Sequence, residues 1–138
     1  MNIRKDYRYA YVPELLFSLE GLSVKKKILL MVLGDSDYKA ETDTLNYLSS
    51  LCGMTYRDVV QGLRFFVWIN WVNINEYRND TDEDVTRYYE LDFKFVEKSL
   101  AIFKENNIGL KEVEFLFDYL HDNERDKLRE KFSYTNLK

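Results

Sequence analysis

Residues 48–63 of the chain read Leu48-Ser49-Ser50-Leu51-Cys52-Gly53-Met54-Thr55-Tyr56-Arg57-Asp58-Val59-Val60-Gln61-Gly62-Leu63. The glycine near the middle predicts the end of one helix, because helices commonly end on a glycine in the left-handed backbone conformation. Thr55 predicts the cap of the next helix, since its side chain can accept a hydrogen bond from a free backbone N–H of the first turn. The stretch therefore predicts two helices joined by a tight turn.

The helix after the turn is expected to be amphipathic. Its apolar residues recur at helical spacing and fall on one side of the helix: Val59, Val60, Leu63, Phe66 and Val67. Residues spaced at i, i+4, i+7 and i+11 fall on another side: Arg57, Gln61, Arg64 and Trp68. The helix therefore has one face for a core and another that carries hydrogen-bonding side chains.

Two more helices are predicted before this one. Ser23 is a good cap for a helix whose apolar residues recur over 24–33. A second helix is expected to begin at Thr42 or Asp43 and to end at Gly53. At the start of the chain, we expect an extended arm over 7–11 and then a short helix after Pro13.

A β-hairpin is predicted after the amphipathic helix. Its strands are expected over 71–77 and 85–93, separated by a polar turn. Trp68 and Trp71 flank its entry, and at least one of them is expected to pack the hairpin onto the helix. Helix, helix, turn, helix and hairpin follow one another in the order of a winged helix-turn-helix. The fold class is therefore mostly α with a small β-hairpin (α+β).

The rest of the chain is predicted to be a helical extension. One helix is expected around Phe95 to Phe103 and another around Val113 to Leu120, with a break near 106–109. Beyond His121 the apolar content falls, which leaves a solvated helix and a fraying tail as alternatives. The expected organisation is an arm and winged-helix domain over 1–93 and a helical extension over 94–138.

Composition is that of an ordinary globular protein. With 138 residues, 46% of them hydrophobic, the chain is long enough to bury one core without disulfides or metals. Cys52 is the single cysteine and is expected to be a small buried side chain in a reducing compartment. The chain begins with charged residues rather than a signal peptide, and no apolar run approaches a membrane span. We therefore expect a cytoplasmic protein without a membrane contact.

No catalytic centre or cofactor site is predicted. His121 is the single histidine, so no zinc site or histidine-containing triad can be assembled. No glycine-rich phosphate loop or nucleophile elbow is present in the sequence. The acidic run from Asp80 to Asp84 lacks the glycine and final glutamate of a calcium-binding loop, so a solvated turn is expected there. We expect that the protein is not an enzyme and has no cofactor or metal.

Several segments resemble a known group of domains. These segments are Tyr11-Val12-Pro13-Glu14-Leu15-Leu16, the Leu22-Ser23 step before a lysine-rich helix, and residues 48–69. Together they resemble the winged-helix domains that open phage and plasmid replication initiators and DnaD-type replisome-organiser proteins. The resemblance covers residues 11–93, about three fifths of the chain, and its motifs mark a turn and a packed helix. It implies a protein that binds double-stranded DNA in replication initiation or transcriptional regulation.

The helix that follows Thr55 is the candidate for reading DNA. The second helix of a helix-turn-helix enters the major groove, where arginine and glutamine bond to base edges. The groove-facing residues are then Thr55, Tyr56, Arg57, Gln61 and Arg64, and Gly62 is expected to let the backbone approach DNA. Basic residues assigned to DNA outside this helix are Lys25, Lys26 and Lys27, together with Arg78 of the hairpin and the N-terminal arm. A solvated surface is the alternative for each of these groups.

The charge of the chain supports a second interpretation. The formal net charge is −4, whereas a compact DNA-binding domain usually presents a basic face. The hairpin turn carries Asp80, Asp82, Glu83 and Asp84, where wings of the resembled group are generally basic. The alternative function is a winged-helix protein-interaction or inhibitor module that does not bind DNA and contacts a protein partner through the acidic wing or the C-terminal helices. The C-terminal helices are expected to supply either a homodimer contact or the docking of a partner, through Phe95, Leu100, Phe103, Phe117 and Leu120.

Overall fold

A computed structural model describes residues 19–78 and 85–132, with side chains described as far as His121. Within these ranges the chain is mostly helical and contains a small three-stranded antiparallel sheet. The N-terminal arm, the short helix predicted after Pro13 and the acidic turn from Asp80 to Asp84 lie outside the described residues.

Five helices and three strands make up the described part of the chain. The helices are α1 (Val24–Asp35), α2 (Thr42–Cys52), α3 (Tyr56–Trp68), α4 (Phe93–Glu105) and α5 (Leu110–Phe132). The strands are β1 (Tyr38–Lys39), β2 (Val72–Arg78) and β3 (Val85–Leu91). Of the two alternatives for the segment beyond His121, a helix is observed as far as Phe132, where the described residues end. No helix in these ranges combines the length and apolar character needed to cross a membrane.

The turn between α2 and α3 has the predicted chemistry. Gly53 has φ 65°, in the left-handed region, and its N–H bonds back to the last turn of α2. The Thr55 hydroxyl accepts a hydrogen bond from the Asp58 N–H at 3.1 Å, and the Asp58 carboxylate accepts one from the Thr55 N–H at 3.3 Å. These reciprocal bonds form a capping box, which satisfies two backbone donors at the start of α3.

The strands of the sheet lie in the order β1-β3-β2. The hairpin of β2 and β3 is paired in continuous register, from Val72 opposite Leu91 to Arg78 opposite Val85. Strand β1 pairs antiparallel with the other edge of β3, and Tyr38 lies opposite Tyr89. The sequence did not predict β1, because a two-residue strand is too short to show an alternating pattern.

The second strand of the hairpin is shorter than the sequence predicted. A strand over 85–93 was expected, but β3 ends at Leu91 and Phe93 is the first residue of α4. The side chain of Asp92 accepts a hydrogen bond from the Phe95 N–H at 3.0 Å and so caps α4. The alternation of apolar residues continued past this cap, which is why the predicted strand extended too far.

One hydrophobic core receives residues from all five helices and from β2 and β3. Trp71 is fully buried and stacks on Phe66 of α3, with ring centroids 6.0 Å apart, so it packs the hairpin onto α3 as expected. The helices on the C-terminal side of residue 93 contribute to the same core through Val96, Leu110 and Phe117. The ring of Phe117 meets Phe65 edge to face at 5.3 Å, which places α5 against α3.

Candidate nucleic-acid interface

The first half of α3 presents the polar side chains that the sequence assigned to DNA. Thr55, Tyr56, Arg57 and Arg64 are exposed, and Gln61 is half-buried. The back of the helix is in the core, where Val59, Leu63 and Phe66 are buried. Arg57, Gln61 and Arg64 therefore share one accessible side of a helix whose position the core holds, as the spacing predicted.

The second half of α3 is covered by α5. Trp68, which sequence spacing placed on the same side as Arg57, packs against Phe117 with ring centroids 5.4 Å apart and against His121 at 6.2 Å. Phe65 is fully buried by the same contact, although it lies outside the predicted apolar face. The surface available to a partner is therefore the N-terminal half of α3, from Thr55 to Arg64.

Asp58, the acidic residue beside Arg57, belongs to the helix cap. Its carboxylate accepts hydrogen bonds from Lys25 Nζ at 3.0 Å and from the Thr55 N–H, and these bonds hold the pKa of Asp58 below its ordinary value. The negative charge also lies at the positive end of the α3 dipole. Asp58 thus has a structural role, and the Thr55 hydroxyl assigned to DNA is engaged in the same cap.

Two of the three lysines assigned to phosphates are paired within the protein. Lys25 Nζ lies 3.0 Å from Asp58, and Lys26 Nζ lies 3.2 Å from the carboxylate of Glu114 on α5. Lys26 also lies over the Phe65 ring at 5.2 Å, and its side chain is only 16% exposed. Lys27 is half-exposed and takes part in no ion pair within the described ranges. Lys26 therefore holds α5 against α1, and Lys27 is the lysine best placed for a phosphate.

Gly62 has a different role from the one expected. It was assigned to close backbone approach to DNA, but it is buried and faces α1. A Cβ atom built on Gly62 would lie 2.6 Å from Cδ2 of Leu29. The glycine therefore permits α1 and α3 to pack closely, and the prediction of a DNA contact at this position is wrong.

The hairpin carries its own network of polar contacts. Arg78 is exposed at the end of β2, opposite Val85. Next to this pair, Glu76 and Arg87 form a cross-strand ion pair at 2.8 Å, in which both side chains are more than half exposed. On the opposite face of the hairpin, Glu90 accepts hydrogen bonds from the Asn75 amide at 2.9 Å and from the Tyr77 hydroxyl. Arg78 is therefore at an accessible position of the hairpin.

A row of tyrosines beside α3 was not recognised in the sequence. Tyr38 and Tyr89 are paired across β1 and β3, and the ring of Tyr47 on α2 lies 6.3 Å from Tyr38. Burial raises the pKa of Tyr89, and the nearby Tyr56 hydroxyl raises it further. These side chains come from four separate elements, so no spacing within one element could have indicated the cluster.

Between residues 19 and 121, leaving aside 79–84, no group of His, Cys, Asp and Glu side chains is arranged to hold a metal ion. His121 lies against the Phe117 ring, with its Nδ1 3.0 Å from the Phe117 carbonyl oxygen. Cys52 is half-buried, and burial raises the pKa of its thiol, which disfavours the reactive thiolate.

No family model, curated protein or solved structure matches this chain.

Proposed function

We propose that this chain is a winged-helix protein that binds double-stranded DNA by inserting the N-terminal half of α3 into the major groove. The observation that carries the proposal is the capped, core-anchored α3 with Arg57, Gln61 and Arg64 together on its accessible side. The connectivity supports it as well. Helices α2 and α3 are joined by a tight turn, and a hairpin follows whose second strand pairs with β1.

The arginines and the glutamine supply base contacts in this proposal. An arginine guanidinium donates two parallel hydrogen bonds to O6 and N7 of guanine, and a glutamine amide bonds similarly to adenine. Arg57 and Arg64 are seven residues apart, two helical turns, so they reach base pairs along one stretch of groove. The capping box fixes the start of α3, which reduces the ordering that binding would require.

Phosphate contacts are fewer than the sequence predicted. Lys27 and Arg78 are the basic residues outside α3 that we assign to phosphates, because Lys25 and Lys26 are paired with carboxylates. Each phosphate neutralised lowers the logarithm of the binding constant by about 0.9 per tenfold rise in salt. With Lys27 and Arg78 neutralising about two phosphates, the slope is expected to be about −2.

The role in the cell follows from the resemblance noted in the sequence. We propose replication initiation or transcriptional regulation, in a phage- or plasmid-related protein of the cytoplasm.

Fluorescence anisotropy with labelled duplex DNA tests the proposal. Arg57→Ala combined with Arg64→Ala is expected to weaken binding by about 1 to 3 kcal/mol for each arginine that bonds to a base. The matched control is Lys98→Ala combined with Lys104→Ala, which removes two exposed positive charges from α4 and leaves α3 intact. Equal weakening by both pairs would show that net charge, rather than the face of α3, determines binding, and would contradict the proposal.

A second candidate is the protein-interaction module that does not bind DNA. The internal pairing of Lys25 and Lys26 favours this function, because it removes positive charge from the surface. Two exposed acidic residues, Glu41 and Asp43, also favour it. They lie at the start of α2, where a helix-turn-helix approaches the phosphate backbone. On this interpretation no duplex is bound even at about 50 mM salt, where phosphate contacts are strong. The same anisotropy titration therefore discriminates between the two functions.

A further inference from the structure

Helix α5 has two apolar sides, and only one of them is used by the core. On the docked side, Leu110 is 4% exposed and Phe117 is 1% exposed, and Glu114 is paired with Lys26. The other side carries four apolar residues that remain exposed, Phe115 at 73%, Leu116 at 47%, Tyr119 at 60% and Leu120 at 38%. We call these four residues the α5 stripe.

The α5 stripe is continuous along the helix. Phe115 and Tyr119 are four residues apart, as are Leu116 and Leu120, so each pair is adjacent on the helix surface. Asp118 follows Glu114 by four residues and therefore lies toward the docked side rather than within the stripe. A contiguous exposed patch of this kind marks an interaction surface, whereas single exposed apolar residues do not.

The stripe differs from the dimer contact that the sequence predicted. Phe117 is buried against α3, whereas Leu100 and Phe103 are partly buried where they pack against the core. Of the expected contact residues on α5, Leu120 alone is exposed, and it belongs to the stripe. Phe95 on α4 is also exposed, so the predicted contact residues divide between accessible and core-facing positions, and on α5 the accessible side is the one opposite Phe117.

We infer that the α5 stripe binds the α5 stripe of a second copy of this chain, with the two helices antiparallel. Over 115–120 the first two and the last two residues belong to the stripe, and the middle two do not, so the arrangement of stripe positions is the same in either chain direction. A two-fold axis between residues 117 and 118 places Phe115 opposite Leu120 of the second copy, and Leu116 opposite Tyr119. Such a surface is self-complementary, which is the requirement for a symmetric pair.

The exposed area indicates a weak and reversible pair. The two aromatic side chains expose on the order of 250 Å² and the two leucines on the order of 150 Å², so each copy contributes on the order of 400 Å². The pair then buries on the order of 800 Å² in total, below the roughly 1,200 Å² of stable complexes. A surface of this size suits copies that associate reversibly at high concentration.

Sedimentation velocity without DNA tests the inference, and its outcome is independent of the proposed function. The weight-average mass of the wild type is expected to rise from one chain toward two between about 1 µM and about 500 µM. The variant with Phe115→Ser and Tyr119→Ser is expected to stay at one chain over the same range. Ile102→Ser is the matched control, because Ile102 is a half-exposed apolar residue on α4, outside the stripe.

Far-UV circular dichroism and thermal melting establish that each variant is folded. If the double variant is not folded, Tyr119→Lys repeats the test with a charge at a largely exposed position of the stripe. A wild type that remains a single chain up to about 500 µM overturns the inference. So does a folded stripe variant that associates like the wild type, or an Ile102→Ser control that loses association equally.

Discussion

Phe117 packs α5 against α3. Its side chain is 1% exposed, and its ring centroid lies 5.3 Å from that of Phe65 and 5.4 Å from that of Trp68. Phe117→Ala removes the ring and leaves a cavity that α3, held in the core, can fill only in part. A buried Phe→Ala substitution costs about 3 to 5 kcal/mol, so the free energy of unfolding is expected to fall by this amount. The loss is a large share of the roughly 5 to 15 kcal/mol that stabilises a typical domain.

Phe115→Ala provides the matched control for this substitution. Phe115 lies two residues away on the same helix, but it is 73% exposed, and its truncation is expected to change the free energy of unfolding by less than about 0.5 kcal/mol. Urea denaturation followed by tryptophan fluorescence measures both variants, at a protein concentration low enough to exclude self-association. A loss below about 1 kcal/mol for Phe117→Ala, or equal losses for the two variants, would refute the docking of α5 on α3.

Two further predictions concern the charged contacts of α1. Because the pKa of Asp58 is lowered in the folded protein, its contribution to stability is present above its unfolded pKa and is lost as the pH falls through the lowered value. The Asp58→Asn variant is therefore expected to have a lower melting temperature than the wild type at neutral pH, and the difference is expected to shrink below about pH 4. A difference in melting temperature that grows in acid would contradict the role of Asp58 in the cap. Lys26→Ala removes the only cation within 4 Å of the mostly buried Glu114 among the described residues and leaves it the hydrogen bond from the Ser23 N–H, so it is expected to lower the free energy of unfolding by about 1 to 3 kcal/mol. Lys25→Ala, at an exposed pair, is expected to lower it by less than about 1 kcal/mol. Urea titration of the two lysine variants checks this order, and equal losses would show that Lys26 does not hold α5.

Local sequence was sufficient to predict most of the secondary structure. Gly53 and Thr55 marked the turn before α3, because a left-handed glycine and an N-cap act through backbone groups a few residues away. The helical spacing of apolar residues likewise predicted the helix pair of the extension. The errors fell where the local signal was short or continued too far, at the two-residue strand β1 and at Phe93.

The candidate interface was predicted only in part, for reasons that lie in the packing. Arg57 and Arg64 were assigned correctly to an accessible side of α3, since that side follows from spacing within one helix. The pairing of Lys26 with Glu114 joins residues 88 positions apart, and no pattern within α1 indicates it. Gly62 was wrongly assigned to DNA. Its true neighbour is Leu29, and that contact depends on how closely α1 and α3 pack, which the sequence of α3 does not show.

The sequence by itself determined the helices, the α2–α3 turn and the amphipathic character of α3, because these depend on interactions between residues a few positions apart. Only the tertiary structure decided which parts of those helices are accessible. The docking of α5 buries Phe65 and engages Trp68, and it removes Lys26 from the surface. It also leaves the α5 stripe exposed, because a helix can press only one side against a core while the other stays in solvent.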